Sequence, residues 1–324
     1  MKQLSPNEIL QLVNQCLDQL AYDRKPASLY EPIQYVLSLG GKRIRPVLML
    51  MAYNLWKPQP QDILMPAIGL ETYHNFTLLH DDLMDKSDMR RGNPTVHKKW
   101  NENTAILSGD TMLIMAYQLF NQGMKNDAAW SAFIEATLGV CEGQQYDIDF
   151  ETRTDVTEAE YMEMIRLKTS LLLGYALKIG AILAGAPKDD VDNLYTFGEK
   201  MGLAFQLQDD WLDVYGDPAT FKKKLGGDIV DNKKTFMLIN AYQRANTEQK
   251  AELDKWMKAT DCAADEKIAA VTHIYNILGI DKLAQEAIER LFAVSLQSLD
   301  KVKVEDGKKA ELRKFAKRLL GRKY

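Results

Sequence analysis

The stretch HNFTLLHDDLMD, residues 74–85, sets three carboxylates at one end of an apolar segment, and its spacing decides the fold. In an α-helix successive residues turn about 100°, so positions i, i+4, i+7 and i+11 share a face. His74, Asp81 and Asp85 stand in the i, i+7, i+11 relation, with Asp82 at the edge of that stripe. Phe76, Leu79 and Leu83 fall on the other faces. A second stretch, FQLQDDWLD at 205–213, repeats the device with Gln206, Asp209, Asp210 and Asp213 at i, i+3, i+4 and i+7. Two helices are predicted, each carrying a polar stripe on an apolar body.

Three carboxylates on one helix face repel one another, each like-charge i,i+4 pair costing a few tenths of a kcal/mol. Bearing that cost twice, 128 residues apart, points to a compensating cation. Carboxylate oxygens suit hard ions, and Mg²⁺ is commonly held by a few carboxylates together with the phosphates of a substrate. Soft ligands are missing nearby, which argues against zinc.

Outward from these helices, 3.6-residue periodicity dominates and strand alternation is nearly absent. Thr157 to Glu160 reads as a capping box that opens a long apolar-periodic segment ending near Gly185-Ala186-Pro187. A further helix is expected from about Asp190 to Tyr215, stopped by Gly216-Asp217-Pro218, and no proline follows Pro218. No internal repeat, low-complexity tract or linker interrupts the 324 residues. The expectation is one large all-α domain spanning 1–324.

Composition narrows the function. A net charge of −4 excludes a generally basic nucleic-acid binder. The charge is uneven: residues 301–324 hold ten Lys and Arg against three Asp and Glu. Cys16, Cys141 and Cys262 are few and distant, neither a disulfide framework nor a zinc spacing, so a reducing cytoplasm is expected. Cys141 is expected in the core. The longest apolar run, Leu171 to Ala186, contains Lys178 and is short for a membrane span, so no stable membrane insertion is expected. Lys178 is expected to snorkel to the surface.

Three segments resist the helical pattern. GGKRIRP at 40–46 joins two glycines to three cations, MRRGNP at 89–94 is a basic turn after the first aspartates, and residues 216–235 mix glycines with lysines. Mobile backbone beside positive charge suits an anion site, although any one of them alone reads more readily as a solvated turn.

Taken together, these segments resemble the trans-isoprenyl diphosphate synthases, the family of farnesyl and geranylgeranyl diphosphate synthases. HNFTLLHDDLMD looks like the first aspartate-rich motif and FQLQDDWLD like the second. GGKRIRP at 40–46, RRGNPTVH at 90–97, Lys168-Thr169 and GGDIVDNKKT at 226–235 stand in the family's order. The resemblance implies a bundle of long antiparallel helices around a central cavity, the isoprenoid synthase type I fold, as a homodimer. It implies ionisation of an allylic diphosphate, condensation with isopentenyl diphosphate and elimination of a proton. Asp81, Asp85 and Asp209 would ligate three Mg²⁺ ions, while Asp82, Asp210 and Asp213 would hold metal-bound waters or orient the ligands. Arg90, Lys168 and Lys223 would contact the allylic diphosphate, with Lys233 beside it. Lys42, Arg45, His74 and Arg91 would grip the second diphosphate without metal, and Arg43 would assist or serve in packing. Thr169, Gln206 and the Lys168 carbonyl would stabilise the carbocation. The basic tail, Arg322 and Lys323, would close over the second site or remain solvated.

Two departures and one pocket remain. The family has Gly-Lys where this chain has Lys222-Lys223, which leaves the choice among Lys222, Lys223 and Lys224 open. The first motif lacks the two-residue insertion of many bacterial farnesyl synthases. Phe76 and Thr77 lie about one helical turn before Asp81, where the family sets product length, and Met112, Met115 and Tyr117 on the next helix could shorten the same pocket. The pattern resembles enzymes making geranylgeranyl diphosphate, with farnesyl diphosphate close behind. The rivals are a terpene cyclase of the same fold and a non-catalytic subunit of a heteromeric synthase.

Overall fold

The computed structural model describes residues 4–20, 22–122, 125–217, 225–259 and 262–321. In chain order its first helices are α1 (Pro6–Gln19), α2 (Ala27–Ser38), α3 (Ile44–Tyr53) and α4 (Leu64–Met84). A two-residue antiparallel pair, β1 (Met89–Arg90) and β2 (Asn93–Pro94), comes next. It is followed by α5 (Val96–Lys99), α6 (Glu102–Phe120), α7 (Asp127–Thr152) and α8 (Glu158–Ile165). A π-turn over Arg166–Ser170 then leads into α9 (Leu171–Leu183) and α10 (Lys188–Tyr215). The remaining helices are α11 (Gly227–Val230), α12 (Phe236–Arg244), α13 (Thr247–Lys258), α14 (Ala264–Ile277), α15 (Ile280–Lys301) and α16 (Asp306–Leu320).

Helix starts follow the side chains that satisfy the orphan N–H groups of the first turn. Complete capping boxes open α1 (Ser5 with Glu8), α8 (Thr157 with Glu160) and α13 (Asn246 with Gln249). The capping box anticipated at 157–160 is therefore present. The helix expected from Asp190 begins two residues earlier, at Lys188. Only the first part of 40–46 is irregular: Gly40, Gly41 and Arg43 have positive φ, and Ile44-Arg45-Pro46 already form the first turn of α3. Proline is tolerated there because the N–H it lacks would have no intrahelical partner.

The chain divides into two compact units. The first holds residues 1–137, 175–195 and 302–312. Here α4 packs closely on α6: a Cβ at Gly69 would lie 2.6 Å from the Phe120 backbone nitrogen, so only glycine permits the approach. Tyr73, Phe120 and Phe133 fill the space beside them, the last two stacked with centroids 4.1 Å apart. The Tyr73 hydroxyl, buried with the ring, donates to the Thr137 carbonyl. Lys178 does snorkel, its ammonium lying over the rings of Tyr175 and Tyr195.

The second unit holds residues 138–174, 196–301 and 313–324. Its core gathers Tyr161, Leu203, Leu207, Met237, Leu253, Val271 and Tyr275. The Ser295 hydroxyl donates to the Phe197 carbonyl and ties α15 to α10. Cys141 is exposed, contrary to the core position expected of a small hydrophobe on an apolar helix. Among the described residues, no helix is long and apolar enough to cross a membrane.

Candidate active site

In the first unit, α4 carries Asp81 and Asp82 in its last turn, and Asp85 is its C-cap with helical backbone. The three carboxylates therefore keep helical register. Asp82 is buried, and burial raises its pKa; Arg90 opposes that shift. Arg90 ends β1, just before the β1–β2 turn in which Arg91 and Gly92 take positive φ, and its side chain reaches back to the helix end. The Arg90 Nε donates to both Asp82 oxygens at 2.9 and 3.0 Å, and its Nη2 donates to Oδ1 at 2.7 Å. That Nη2 is also 3.7 Å from an Asp81 oxygen.

The other cations of this unit gather elsewhere. The Arg91 guanidinium donates to the Gly40 carbonyl, bringing the two basic turns together. The Arg45 Nη1 lies 3.0 Å from His74 Nε2. A guanidinium can only donate, so His74 Nε2 accepts and its proton sits on Nδ1. Burial holds the His74 pKa well below its usual range, with the Arg45 charge adding to the effect. Burial also lowers Arg45, to about 10. Lys42 is exposed. Arg43 is not among them: it turns into the core, donating to Glu71 Oε1 at 2.8 Å and to the Leu37 carbonyl at 2.6 Å. Its left-handed backbone, φ 47°, points the side chain inward and leaves Lys42 on the outside.

Phe76 packs edge-on against His80 and tilted against Tyr73, and is almost buried. Thr77 spends its hydroxyl on the His74 carbonyl. Met112, on α6, is fully buried.

In the second unit the stripe of α10 forms a hydrogen-bonded chain. The Thr169 hydroxyl donates to Gln206 Oε1 at 3.2 Å, and Gln206 Nε2 donates to Asp210 Oδ1 at 3.0 Å. The Tyr161 hydroxyl donates to the other Asp210 oxygen in a short contact. Burial pushes Asp210 up to about 8, and the charge of Asp228 adds to the effect. Asp213 Oδ2 accepts from the Asp228 N–H at 3.0 Å, and the Asp213 carbonyl accepts from Gly226, so this residue anchors the start of α11. Burial, then Asp213, lifts Asp228 to about 6.

Lys168 and Thr169 lie in the π-turn, where the Ser170 hydroxyl reaches back to the Ile165 carbonyl. One extra residue per turn changes the direction of both side chains, a device common at functional sites. A Cβ at Gly143 of α7 would come within 2.3 Å of the Lys168 nitrogen, so only glycine lets the widened turn pass. The Lys168 ammonium donates to Asp147 at 2.5 Å. Lys233 follows Asn232, which has φ 57°, and its N–H donates to the Asp228 carbonyl. Lys222, Lys223, Lys224, Arg322 and Lys323 lie outside the described residues.

Four residues escape the sequence patterns: Glu71, Asp147, Tyr161 and Asp228. Asp228 stands inside the GGDIVDNKKT segment, where an acid among lysines was a usable signal. Glu71 shares the α4 face of His74 at i, i+3. Tyr161 is 49 residues from Asp210 and Asp147 is 21 from Lys168, and no local pattern marks either pair.

On each of the two helices, taken by itself, the donors are carboxylate oxygens, a chemistry that fits a hard divalent ion. The second aspartate of each pair has both oxygens engaged, Asp82 by Arg90 and Asp210 by Tyr161 and Gln206. Those two suit orientation rather than direct ligation. Among the described residues no three acids, histidines or cysteines form a ready-made cage. Such a site suits Mg²⁺, which keeps water and takes phosphate oxygens as partners.

Comparison with known proteins bears on the same residues. Residues 26–277 match the polyprenyl synthetase family. The chain is 36% identical over 280 residues to the geranylgeranyl diphosphate synthase of Methanosarcina mazei, covering 85% of each. It is 34% identical over 310 residues to the geranylfarnesyl diphosphate synthase of Natronomonas pharaonis, covering 90% of this chain and 89% of that one. A crystal structure of a geranylgeranyl pyrophosphate synthase superposes with a TM-score of 0.93 at 42% identity, covering 99% of this chain and 100% of the other. The all-α isoprenoid synthase fold, two intact aspartate groups and these matches lead to one conclusion: the chain belongs to the polyprenyl synthetase family and is a short-chain trans-prenyltransferase.

Proposed function

We propose that the enzyme condenses isopentenyl diphosphate with the allylic diphosphates dimethylallyl, geranyl and farnesyl, and releases geranylgeranyl diphosphate. One observation carries this: the cations of the first unit sort into two sets. Arg90 is committed to Asp82, whereas Arg45 and Arg91 are held by neutral groups, His74 and the Gly40 carbonyl. The first arrangement suits a diphosphate that departs with metal, the second a diphosphate that must stay attached. A terpene cyclase needs only the first. A non-catalytic subunit needs neither.

Asp81, Asp85 and Asp209 are the direct ligands in this proposal, for three Mg²⁺ ions, with Asp82, Asp210 and Asp213 acting through water. Bound Mg²⁺ supplies charge stabilisation for the leaving diphosphate. Arg90, Lys168 and Lys233, with a lysine of 222–224, bind its oxygens. The allylic C–O bond breaks with both electrons leaving on the diphosphate. The isopentenyl double bond then attacks the allylic carbon, and the released diphosphate takes the proton. Thr169, Gln206 and the Lys168 carbonyl offer only weak dipoles to the cation, so no strong base quenches it early. Lys42, Arg45, His74 and Arg91 hold the isopentenyl diphosphate.

Product length is assigned to Phe76, with Thr77 and Met112. Two relatives of nearly equal identity are named for different chain lengths, which fits control by a few side chains. Phe76→Ala is expected to lengthen the products, and unchanged chromatography would remove Phe76 from the pocket floor. Leu107 and Ile114, seven residues apart on α6, are 59% and 69% exposed and support a homodimer through that face. One domain spanning 1–324, working in the cytoplasm, completes the proposal. The deciding assay is incubation of the purified protein with labelled isopentenyl diphosphate, each allylic diphosphate and Mg²⁺. Elongation to the C20 product is expected. Cyclised hydrocarbon, or no elongation by the protein alone, would overturn the reading.

A further inference from the structure

Lys267 lies on α14, outside every motif that carries the chemistry, and is only 3% exposed. An ammonium group is seldom buried unless its position is used, because leaving water is costly unless its hydrogen bonds are replaced. Here Nζ donates to the Val230 carbonyl at 3.1 Å and to Asn232 Oδ1 at 2.7 Å. Val230 is the last residue of α11, which carries Asp228, and Asn232 lies in the turn from α11 to α12, which carries Lys233.

The stretch from α11 through that turn is fixed at two points. At its start, Asp213 accepts from the Gly226 and Asp228 N–H groups. Gly226 has φ 82° and presses on the residue after Lys267: a Cβ there would be 2.6 Å from Ile268 Cγ1. At its end Asn232 takes the left-handed conformation, and its side chain is the one Lys267 holds. Lys233 follows directly, with its N–H on the Asp228 carbonyl. The first anchor is the aspartate helix itself, and the second is a lysine outside the residues assigned to substrate above.

We propose that Lys267 is a positioning residue for the allylic diphosphate site, holding Val230 and Asn232 so that Lys233 is presented to the diphosphate. This rests on the assignment of Lys233 made above. A lysine suits the task because its tetrahedral head reaches a carbonyl and an amide at once. Methionine has nearly the same length and can donate to neither.

The test is steady-state kinetics of Lys267→Met, with separate KM values for the allylic and isopentenyl diphosphates and a thermal melt. The allylic KM is expected to rise about tenfold, the effect of losing hydrogen bonds from a charged group. The isopentenyl KM should stay within about twofold, since in the proposed scheme that substrate has other ligands. Asn232→Gly keeps the left-handed backbone and removes one acceptor. It should raise the allylic KM about threefold, and the double variant should be no worse than Lys267→Met alone. It also carries the test if Lys267→Met does not fold. Lys233→Ala separates two kinds of failure. If it leaves the allylic KM unchanged, the assignment of Lys233 falls and the proposal with it. If it raises that KM while Lys267→Met and Asn232→Gly do not, the proposal alone is overturned. A lowered melting temperature with both KM values unchanged would make Lys267 purely structural and overturn it too.

Discussion

The two Asp-Asp pairs, Asp81-Asp82 on α4 and Asp209-Asp210 on α10, match in sequence, but their buried members are neutralised by different chemistry. Asp82 meets a guanidinium: Arg90 grips both oxygens from a hairpin only eight residues further on. Asp210 meets a phenol and an amide, and burial with Asp228 nearby pushes its pKa up to about 8. Near neutral pH the first is an ion paired with a cation and the second is largely a neutral acid. A motif written in letters does not fix its own charge, because the neighbours that the fold brings do.

The sharpest way to break this comparison is to remove the cation. Arg90→Met leaves a buried carboxylate without its partner, a change that costs about 3–5 kcal/mol for a fully buried pair and less here, because Arg90 is 31% exposed. A loss of about 2 kcal/mol is expected from urea unfolding of the metal-free protein. Adding Asp82→Asn to that variant should recover most of it. Asp210→Asn alone should cost little at pH 6, since it replaces a neutral acid by a neutral amide. Equal losses from Arg90→Met and Asp210→Asn would show that both sites carry a full charge.

A smaller effect appears in the pH dependence. An unfolded aspartate loses its proton near 3.8, whereas folded Asp210 keeps it to about 8. The folded state therefore binds the extra proton between those values. Its stabilising contribution is complete below the lower value and is lost as pH rises through the upper one. Asp210 alone should lower the stability of the metal-free protein across this window by at most about 1.4 kcal/mol per pH unit. Asp228, lifted to about 6, adds to the lower half of the slope. In Asp210→Asn the slope above pH 6 should flatten. Mg²⁺ binding should release protons at pH 7, readable by calorimetry in two buffers of different ionisation enthalpy. A wild-type slope identical to that of Asp210→Asn would remove the proton from Asp210.

The same contrast explains what could be read from the chain. Both aspartate stripes were legible because helical spacing is local, and so was the capping box at Thr157. Arg90 was legible as a cation close by in sequence. Arg43 was not, because nothing in GGKRIRP tells which of its three cations turns inward; that depends on a left-handed residue and on Glu71, 28 positions away. The π-turn at Lys168-Thr169 was equally hidden. It passes close against Gly143, a contact 25 residues distant that periodicity cannot express. Cys141 failed for the opposite reason. Cysteine is among the residue types most often buried, yet small apolar side chains are also ordinary on a folded surface, and Cys141 is exposed.

The smallest expected effect tests the network around Asp210 and not its burial. Tyr161 and Gln206 both donate to the carboxylate and so favour its ionised form, against the larger effect of burial. Tyr161→Phe keeps the ring in place and removes one donor. The pKa of Asp210 should then rise further, and the alkaline end of the stability profile should move up by a fraction of a pH unit. Stability at pH 5, where the carboxyl is already protonated, should change by no more than about 1 kcal/mol. Arg90→Lys makes the matching change at the other pair, exchanging a two-pronged donor for a point charge without shifting any alkaline midpoint. If Tyr161→Phe moves the midpoint down instead, the phenol stabilises the neutral acid, and the proton is shared between Tyr161 and Asp210 and not held by Asp210 alone.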